Sequence, residues 1–335
     1  MQYRRLGRSG LFVSDICLGT MNFGGQLEAA PSHRLLDQAF EAGINFYDTA
    51  EMYAVPTTPE SFGRSEEVVG SWLKTKPRDR VIVATKITGP LAGPGAEFLG
   101  WIRGGLAALD WHHFAAAIDG SLKRLGTDYI DLYQTHWPDR DVPMEAQLEA
   151  FERLIAAGKI RYAGVSNETP WGLTRLIALA EQSGLPRIVS LQNVYHFLKR
   201  VYDDGMAEVC EREDVAMLAY SPIAMGVLSG KYSGGAIPDG SRFATFQPRT
   251  RARYGQPHVL AAADRYVAIA RDAGLDPSAM AVAWTRGRPG VAAALPGCST
   301  PQQLATIIAS AELTLSDDVL AAIEAVQAEG KNPVL

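Results

Sequence analysis

Short apolar runs alternate with longer stretches whose apolar residues recur at helical spacing. The first such unit is the run at 16–20, Ile-Cys-Leu-Gly-Thr, followed by an amphipathic stretch at 32–43. Seven more apolar runs follow, at 45–49, 81–86, 130–136, 160–166, 188–195, 215–222 and 291–297. Near-continuous apolar strands separated by helices are typical of a buried parallel sheet. About eight units in roughly 300 residues predict an α/β fold of the (β/α)8 TIM-barrel type.

The remaining segments add to this barrel. Residues 3–14 read as a β-hairpin around a Gly-Arg-Ser-Gly turn, and the C-terminal half contains two helical stretches beyond those the barrel needs. Ser32 is the predicted N-cap of the first helix, and Gly43 its stop. No Pro/Ser-rich linker divides the chain, so we expect residues 1–335 to form a single domain. The long Gly- and Pro-rich segments at 87–110 and 229–257 are expected to be functional loops.

Composition and charge limit the classes of molecule that the protein is expected to bind. The net charge is -5 and the pI about 5.7, which disfavours a nucleic-acid or anionic-membrane surface. No apolar run approaches the roughly 18 residues of a membrane span. Three distant cysteines, Cys17, Cys210 and Cys298, without a CxxC motif suggest a reducing compartment and no metal site. With no secretory h-region near the N-terminus, we expect a cytoplasmic protein that acts on small molecules.

One pair of short motifs imitates a short-chain dehydrogenase. Residues 88–95 spell TGxxxGxG, and Tyr195 to Lys199 spell YxxxK. Pro90 and Pro94 remove backbone donors from the glycine turn, which must lead directly into a helix to bind pyrophosphate. We therefore disfavour this interpretation.

Four chemically active side chains follow successive predicted strands. Asp48 ends the second strand, with Tyr53 in the loop beyond it; Lys86 ends the third and His136 the fourth. Each alone has an ordinary structural explanation. In a parallel barrel, however, the carboxyl ends of the strands meet at one rim, where catalytic residues collect. We therefore expect the four side chains to form one site.

These four residue types suit proton donation to a carbonyl oxygen. A tyrosine has a pKa near 10. An ammonium about 4 Å away would lower that pKa by about 3 at an effective dielectric near 20, before the opposing effect of desolvation is subtracted. Asp48 would hold Lys86 charged, and His136 could bind the carbonyl oxygen. The pattern predicts a site that protonates an alkoxide while another group delivers hydride.

Motifs along nearly the whole chain resemble the aldo-keto reductase family, in particular its bacterial Tas-like branch. They include YRRLGRSGLFVSDICLGTMNFG, GINFYDTAEMY, SLKRLGTDYIDLYQTHWPD, GKIRYAGVSN, AYSPIAMGVLSGKY and LPGCSTPQQL. The resemblance implies a catalytic tetrad of Asp48, Tyr53, Lys86 and His136, and NADPH/NADP+ as cofactor. It places the substrate at Tyr53, His136 and Trp137. The implied cofactor-binding residues are Gly19, Thr20, Met21, Asp48, Ser166, Asn167, Gln192, Tyr220, Ser221, Pro222, Ile223, Gly226, Leu228, Lys231, Arg242, Gly297, Ser299 and Gln303.

The last of these motifs departs from the family pattern. Many relatives bind the 2′-phosphate with Lys or Arg in the final loop and adenine with a following Asn. Here residues 297–303 carry no cation, and Ile307 stands in place of the Asn. Lys231 or Arg242 could supply the charge.

The resemblance implies reversible NADPH-dependent reduction of an aldehyde or ketone. Two alternatives stay open: a slow-turnover regulatory or redox-sensing NADPH-binding module, and a lyase or isomerase using Lys86 as a Schiff base. Trp101, Trp111 and Trp137 are candidate walls of an apolar substrate site.

Overall fold

Eight parallel strands enclose the centre of the computed structural model, which describes residues 1–90, 100–105, 107–245, 249–330 and 332–334. Strands β1 (Tyr3–Arg5) and β2 (Phe12–Ser14) form a separate antiparallel hairpin, as predicted. The barrel strands are β3 (Leu18–Gly19), β4 (Phe46–Asp48), β5 (Ile82–Ile87), β6 (Ile130–Thr135), β7 (Ile160–Ser166), β8 (Ile188–Val194), β9 (Ala216–Tyr220) and β10 (Val291–Leu295). Each pairs with its sequence neighbour, and parallel bridges from Ile16 to Ala294 and from Gly19 to Gly297 join the two ends. The predicted (β/α)8 barrel is confirmed.

Helices connect the strands and surround the barrel. They are α1 (Ala29–Glu41), α2 (Arg64–Leu73), α3 (Trp111–Leu125), α4 (Met144–Ala156), α5 (Pro170–Ser183), α6 (Met206–Glu213), α7 (Arg242–Thr245), α8 (Arg249–Tyr254), α9 (Pro257–Asp272), α10 (Pro277–Arg286), α11 (Pro301–Ala309) and α12 (Asp317–Glu329). The additional C-terminal-half helices include α9 and α12, which contact each other. The described chain between β9 and β10 also carries the short helices α7 and α8. Among the described residues, no helix is long and apolar enough to cross a membrane.

Helix α1 starts earlier than predicted. It begins at Ala29 after Glu28, so Ser32 lies within its first turn and is not the N-cap. The buried Ser32 hydroxyl donates to the Glu28 carbonyl oxygen at 2.8 Å. Serine can satisfy its hydroxyl on the preceding turn as well as at a cap, which explains the wrong boundary. Gly43 follows the helix with φ of 89°, the conformation that favours glycine at a helix end.

The hairpin closes the amino-terminal end of the barrel. Leu6 and Val13 are fully buried in one apolar cluster with inward-facing Phe46, Leu132 and Leu218. Burying such side chains stabilises the fold by about 1.5–3 kcal/mol each. The polar inward positions thus lie toward the carboxyl ends of the strands.

Candidate active site

A cavity of about 900 Å³ lies at the carboxyl ends of the barrel strands. Nearly all the predicted site residues line it: Gly19, Thr20, Met21, Asp48, Tyr53, His136, Trp137, Ser166, Asn167, Gln192, Tyr220, Ser221, Pro222, Ile223, Gly226, Lys231, Arg242, Gly297, Ser299 and Gln303. Leu228 does not line the cavity, because its side chain is buried in the hydrophobic core. Lys86 lies beneath the cavity floor and is fully buried.

Asp48 and Lys86 form a buried ion pair. The Lys86 Nζ donates to Asp48 Oδ2 at 2.6 Å and to the Thr49 carbonyl oxygen at 2.8 Å. Strand alternation explains the placement, since Lys86 shares its inward face with Ala84, two residues earlier. Lys86 is the penultimate residue of β5 and not its last, a shift of one residue from the prediction. A buried ammonium requires such a partner.

Two amide side chains bind the second oxygen of Asp48. Gln192 Nε2 donates to Asp48 Oδ1 at 2.8 Å, and Gln134 Nε2 does so at 3.4 Å. Gln134 is also the register partner of Lys86 in the neighbouring strand. Gln134 was not identified from the sequence. Its position midway between Leu132 and His136, on the same face, does indicate a polar side chain that points into the barrel. Both carboxylate oxygens are therefore held in place.

Tyr53 is a buried phenol. Burial raises its pKa well above the ordinary value, Asp48 and Tyr220 raise it further, and Arg242 lowers it. Burial therefore outweighs the lowering of this pKa that was expected from Lys86. The Lys86 ammonium is 5.2 Å from the Tyr53 ring centroid, and its charge is paired with Asp48. Tyr53 thus holds its proton throughout the neutral range, as a proton donor must.

His136 lies beside Tyr53 and directly follows β6, which ends at Thr135. The His136 and Tyr53 ring centroids are 5.6 Å apart in an edge-on arrangement. Burial, and then the charge of Lys86, lowers the His136 pKa well below its usual range, so the imidazole is neutral. Its Nδ1 is buried and has no hydrogen-bond partner among the described residues. An unpaired acceptor is less costly than an unpaired N–H, which favours the tautomer with the proton on Nε2.

Aromatic contacts fix the His136 ring. Trp137 stacks on it with centroids 4.2 Å apart and planes within 7° of parallel. Trp137, Trp101 and Tyr53 all pack against a buried cluster that contains Met52 and Ile102. Trp101 thus lies near Tyr53 but does not line the cavity, and Trp111 is a half-exposed residue at the start of α3.

Polar side chains surround the cavity beyond the ion pair. The Ser166 hydroxyl donates to the Gln192 carbonyl oxygen at 2.7 Å. Asn167 donates to the His136 carbonyl oxygen at 3.0 Å and accepts from the Tyr220 hydroxyl at 2.9 Å. These contacts hold amide and hydroxyl groups around the Tyr220 ring, an arrangement suited to a flat, amide-bearing ligand.

Residues 221–245, here called the strap, run along the cavity and reach its opposite wall. Arg242 donates to Asn22 Oδ1 at 2.8 Å, and the Gln26 side chain donates to Thr245 at 3.5 Å. Lys231 and Arg242 both line the cavity, as does Arg253 on α8, which sequence reasoning missed. Nothing local in the sequence distinguishes Arg253 from the neighbouring arginines at 249 and 251. Three cations near one elongated cavity suit an anionic ligand.

The far end of the cavity lies at the start of α11. The Ser299 N–H and hydroxyl both donate to Gln303 Oε1, at 2.8 and 3.2 Å, and Thr300 accepts from the Gln303 N–H at 3.2 Å. Ile307 lines this end as well. Hydroxyl and amide groups are available at this end, while Lys231 and Arg242 of the strap supply positive charge to the cavity. The length of the cavity, its cationic side chains and its hydroxyl and amide groups together fit a dinucleotide.

Other predicted features lie outside this site. Tyr195 donates to Asp203 at 2.7 Å and is buried away from the cavity, contrary to a role as a catalytic YxxxK tyrosine. Of the segment 87–110, residues 91–99 and 106 lie outside the described part of the chain, and Pro94 is among them. In the described part, Arg103 pairs with Glu51 at 2.7 Å and ties this segment to the loop that carries Tyr53.

Comparisons with known proteins agree with the geometry. The family model described as "Aldo/keto reductase family" matches residues 15–328. Protein tas of Escherichia coli K12 is 45% identical, over 97% of this chain and 97% of its own length. Versiconal hemiacetal acetate reductase of Aspergillus parasiticus and a probable voltage-gated potassium channel subunit beta of Oryza sativa are each 31% identical, over 97% of this chain and 96% of their own lengths.

Proposed function

Because the chain belongs to the aldo/keto reductase family, we propose that it is an NADPH-dependent oxidoreductase that reduces an aldehyde or ketone to the alcohol. The observation that carries this proposal is the grouping of a protonated phenol, a neutral imidazole and a buried Lys–Asp pair around one cavity. These groups can act together on a single oxygen atom: the phenol donates a proton to it, and the imidazole donates a hydrogen bond.

Tyr53 is the proposed general acid. Tyr53 and His136 both line the cavity, so one carbonyl oxygen can accept a hydrogen bond from the Tyr53 hydroxyl and from the His136 Nε2–H. As negative charge develops on that oxygen, His136 stabilises it and Tyr53 transfers its proton. Lys86 then stabilises the phenolate, and Asp48 keeps the ammonium in position. The reverse reaction uses the same groups with the phenolate as base.

NADPH supplies the hydride when bound. Ser166, Asn167 and Gln192 would bind the carboxamide, and the Tyr220 ring would support the nicotinamide. Lys231 and Arg242 of the strap would bind phosphate oxygens, since charge-assisted hydrogen bonds are the strong ones. The hydroxyl and amide groups of Ser299 and Gln303 would serve the adenosine end.

The structure disfavours the Schiff-base alternative. An amine nucleophile needs a free lone pair on Nζ, whereas Lys86 Nζ donates hydrogen bonds to Asp48 and to the Thr49 carbonyl oxygen. Lys86 is also fully buried and does not line the cavity. A regulatory NADPH-binding module would need the same cavity, so turnover is the property that separates it from an enzyme.

Multiple-turnover oxidation of NADPH with an activated aromatic aldehyde tests the proposal. We expect linear loss of NADPH absorbance over many equivalents of enzyme and formation of the matching alcohol. Oxidation that stops after one equivalent would identify a slow regulatory module. Tight NADPH binding without oxidation of any aldehyde or ketone in a broad panel would contradict the proposed reaction.

A further inference from the structure

Arg253 lines the cavity, and the proposed reaction gives it no role. It lies on α8, with its guanidinium carbon 5.3 Å from the ring centroid of Tyr254. Tyr254 is fully buried and hydrogen-bonded to His196 at 3.1 Å, so the helix is anchored in the core at this point. The Arg253 side chain is half-buried, and its charge lies close to the Tyr220 phenol. A fixed backbone thus holds this cation against the cavity wall.

The surroundings of Arg253 are positively charged. Among the described residues, no carboxylate forms an ion pair with it, although many other arginines in the same residues do so. Lys199 lies nearby, and burial together with Arg253 lowers its pKa. Burial, Arg253 and Lys199 lower the pKa of the enclosed His196 to about 3. A partly desolvated guanidinium in such a field favours an anion.

Proximity to Tyr220 places Arg253 at the end of the cavity where the proposed reaction occurs. Its neighbour Tyr220 donates to Asn167 at 2.9 Å, and Asn167 donates to the backbone carbonyl of His136 at 3.0 Å. The cofactor phosphates have separate candidates in Lys231 and Arg242 of the strap. An anion at Arg253 would therefore sit near the carbonyl substrate.

We propose that Arg253 binds a carboxylate of the substrate, so that the preferred substrates are carbonyl compounds carrying an acid group. A guanidinium has five N–H donors in a planar fork, so it can bind both oxygens of a carboxylate. This inference rests on the proposed carbonyl reduction and adds a substrate class to it.

Matched acids and esters provide the test. The 2-, 3- and 4-carboxybenzaldehydes place the acid group at three distances from the carbonyl, and each has a neutral methyl ester. We expect wild-type protein to favour at least one acid over its ester in kcat/KM by roughly 10- to 100-fold, the range for a hydrogen-bonded charge. Arg253→Met should abolish that preference, and Arg253→Lys should retain part of it. Arg251→Met, on the same helix but outside the cavity lining, should leave it unchanged.

The remaining outcomes separate this inference from its alternatives. Equal loss for acids and esters in Arg253→Met would show that Arg253 only positions Tyr220, and would overturn the inference. So would a matching rise in the NADPH dissociation constant, which would assign Arg253 to a cofactor phosphate. If wild-type protein reduces each ester-bearing aldehyde with the same kcat/KM as its acid, the proposed function stands but the acid preference is refuted. Failure to reduce any aldehyde would contradict the proposed function itself.

Discussion

At the scale of single residues, burial and pairing decide the protonation state of each group in the site. His136 is neutral because its charged form is desolvated and faces Lys86. Tyr53 keeps its proton because burial raises its pKa. The reduction rate should therefore vary little with pH across the neutral range, where neither group changes charge.

The buried ion pair makes a prediction for stability. Lys86→Met leaves the Asp48 carboxylate buried with only amide donors, which should lower the free energy of unfolding by about 3–5 kcal/mol. Adding Asp48→Asn should recover much of this loss but not the activity. Urea unfolding and turnover of both variants provide the measurement. Wild-type stability in Lys86→Met would show that the pair is not desolvated.

The stacked Trp137 predicts an effect on catalysis as well as on substrate fit. His136 has no side-chain hydrogen bond in the described residues that fixes its ring, so the stack should orient it. Trp137→Leu should lower kcat about 2- to 10-fold even for the smallest aldehyde, matching a stacking contribution of about 0.5–1.5 kcal/mol. Trp137→Phe should retain most of kcat. If only the KM for bulky substrates changes, Trp137 contributes to substrate fit and does not orient His136.

The sequence located the four central residues because strand ends of a parallel barrel converge, whatever the loops do. It could not locate Arg253 or the contact from Arg242 to Asn22, since both depend on the path of the chain after β9. It predicted a lowering effect of Lys86 on the Tyr53 pKa, but it could not give the opposing effect of burial, which is larger. The positions at the strand ends indicated the pairing of Asp48 with Lys86, but they cannot show how deeply the phenol is buried.

At the scale of elements, apolar periodicity predicted strands and helices well and their boundaries less well. Strands are fixed by apolar faces on both sides, which the pattern records directly. The start of α1 was misplaced because Ser32 bonds to a carbonyl within the helix, a choice that local sequence does not determine. Helices α7 and α8 are too short to produce a clear periodic signal.

The strap predicts the cofactor preference. The final loop offers no cation to a 2′-phosphate, so one charge-assisted contact from Lys231 or Arg242 should favour NADPH over NADH by roughly 1.5–3 kcal/mol, about 10- to 100-fold. High salt should reduce this ratio. Neutralising both residues should bring the two dissociation constants together, as measured by cofactor fluorescence. A double variant with the full wild-type ratio would place the phosphate on other groups, first among them those at 297–303.

At the scale of the whole molecule, the barrel brings residues far apart in sequence into one polar layer. Gln192 reaches Asp48 across 144 positions of the chain. The hairpin fills the opposite end, which leaves the polar layer beneath the cavity. This architecture could be predicted because the rhythm of strands and helices admits few arrangements. The course of the strap could not, since it depends on side-chain contacts with the β3–α1 loop.

Buried neutral histidines predict sensitivity of the fold to acid. His196 has a pKa of about 3 in the folded protein, against an ordinary value near 6.5 in an unfolded chain. Between these values the unfolded state binds a proton that the native state does not, so the free energy of unfolding should fall as pH is lowered below about 6.5.

The His196→Asn variant keeps an acceptor for the Leu198 N–H and removes the group that takes up the proton. Its loss of stability with falling pH should be shallower than that of wild type by up to about 1.4 kcal/mol per pH unit. His258→Asn, at an exposed position, should retain the wild-type slope. Chemical denaturation from pH 7 to pH 4 measures both. Equal slopes in wild type and His196→Asn would contradict a buried, neutral His196.

Single-turnover reduction of an aldehyde by NADPH, compared between wild type and Tyr53→Phe, tests the central claim most directly. Phenylalanine removes one hydroxyl and little else, so the NADPH dissociation constant should stay within about twofold. The rate of reduction should fall by about 10²–10⁴, the usual contribution of one general acid. Retention of most of the wild-type rate, with cofactor binding intact, would show that the proton comes from another group and would contradict the role assigned to Tyr53.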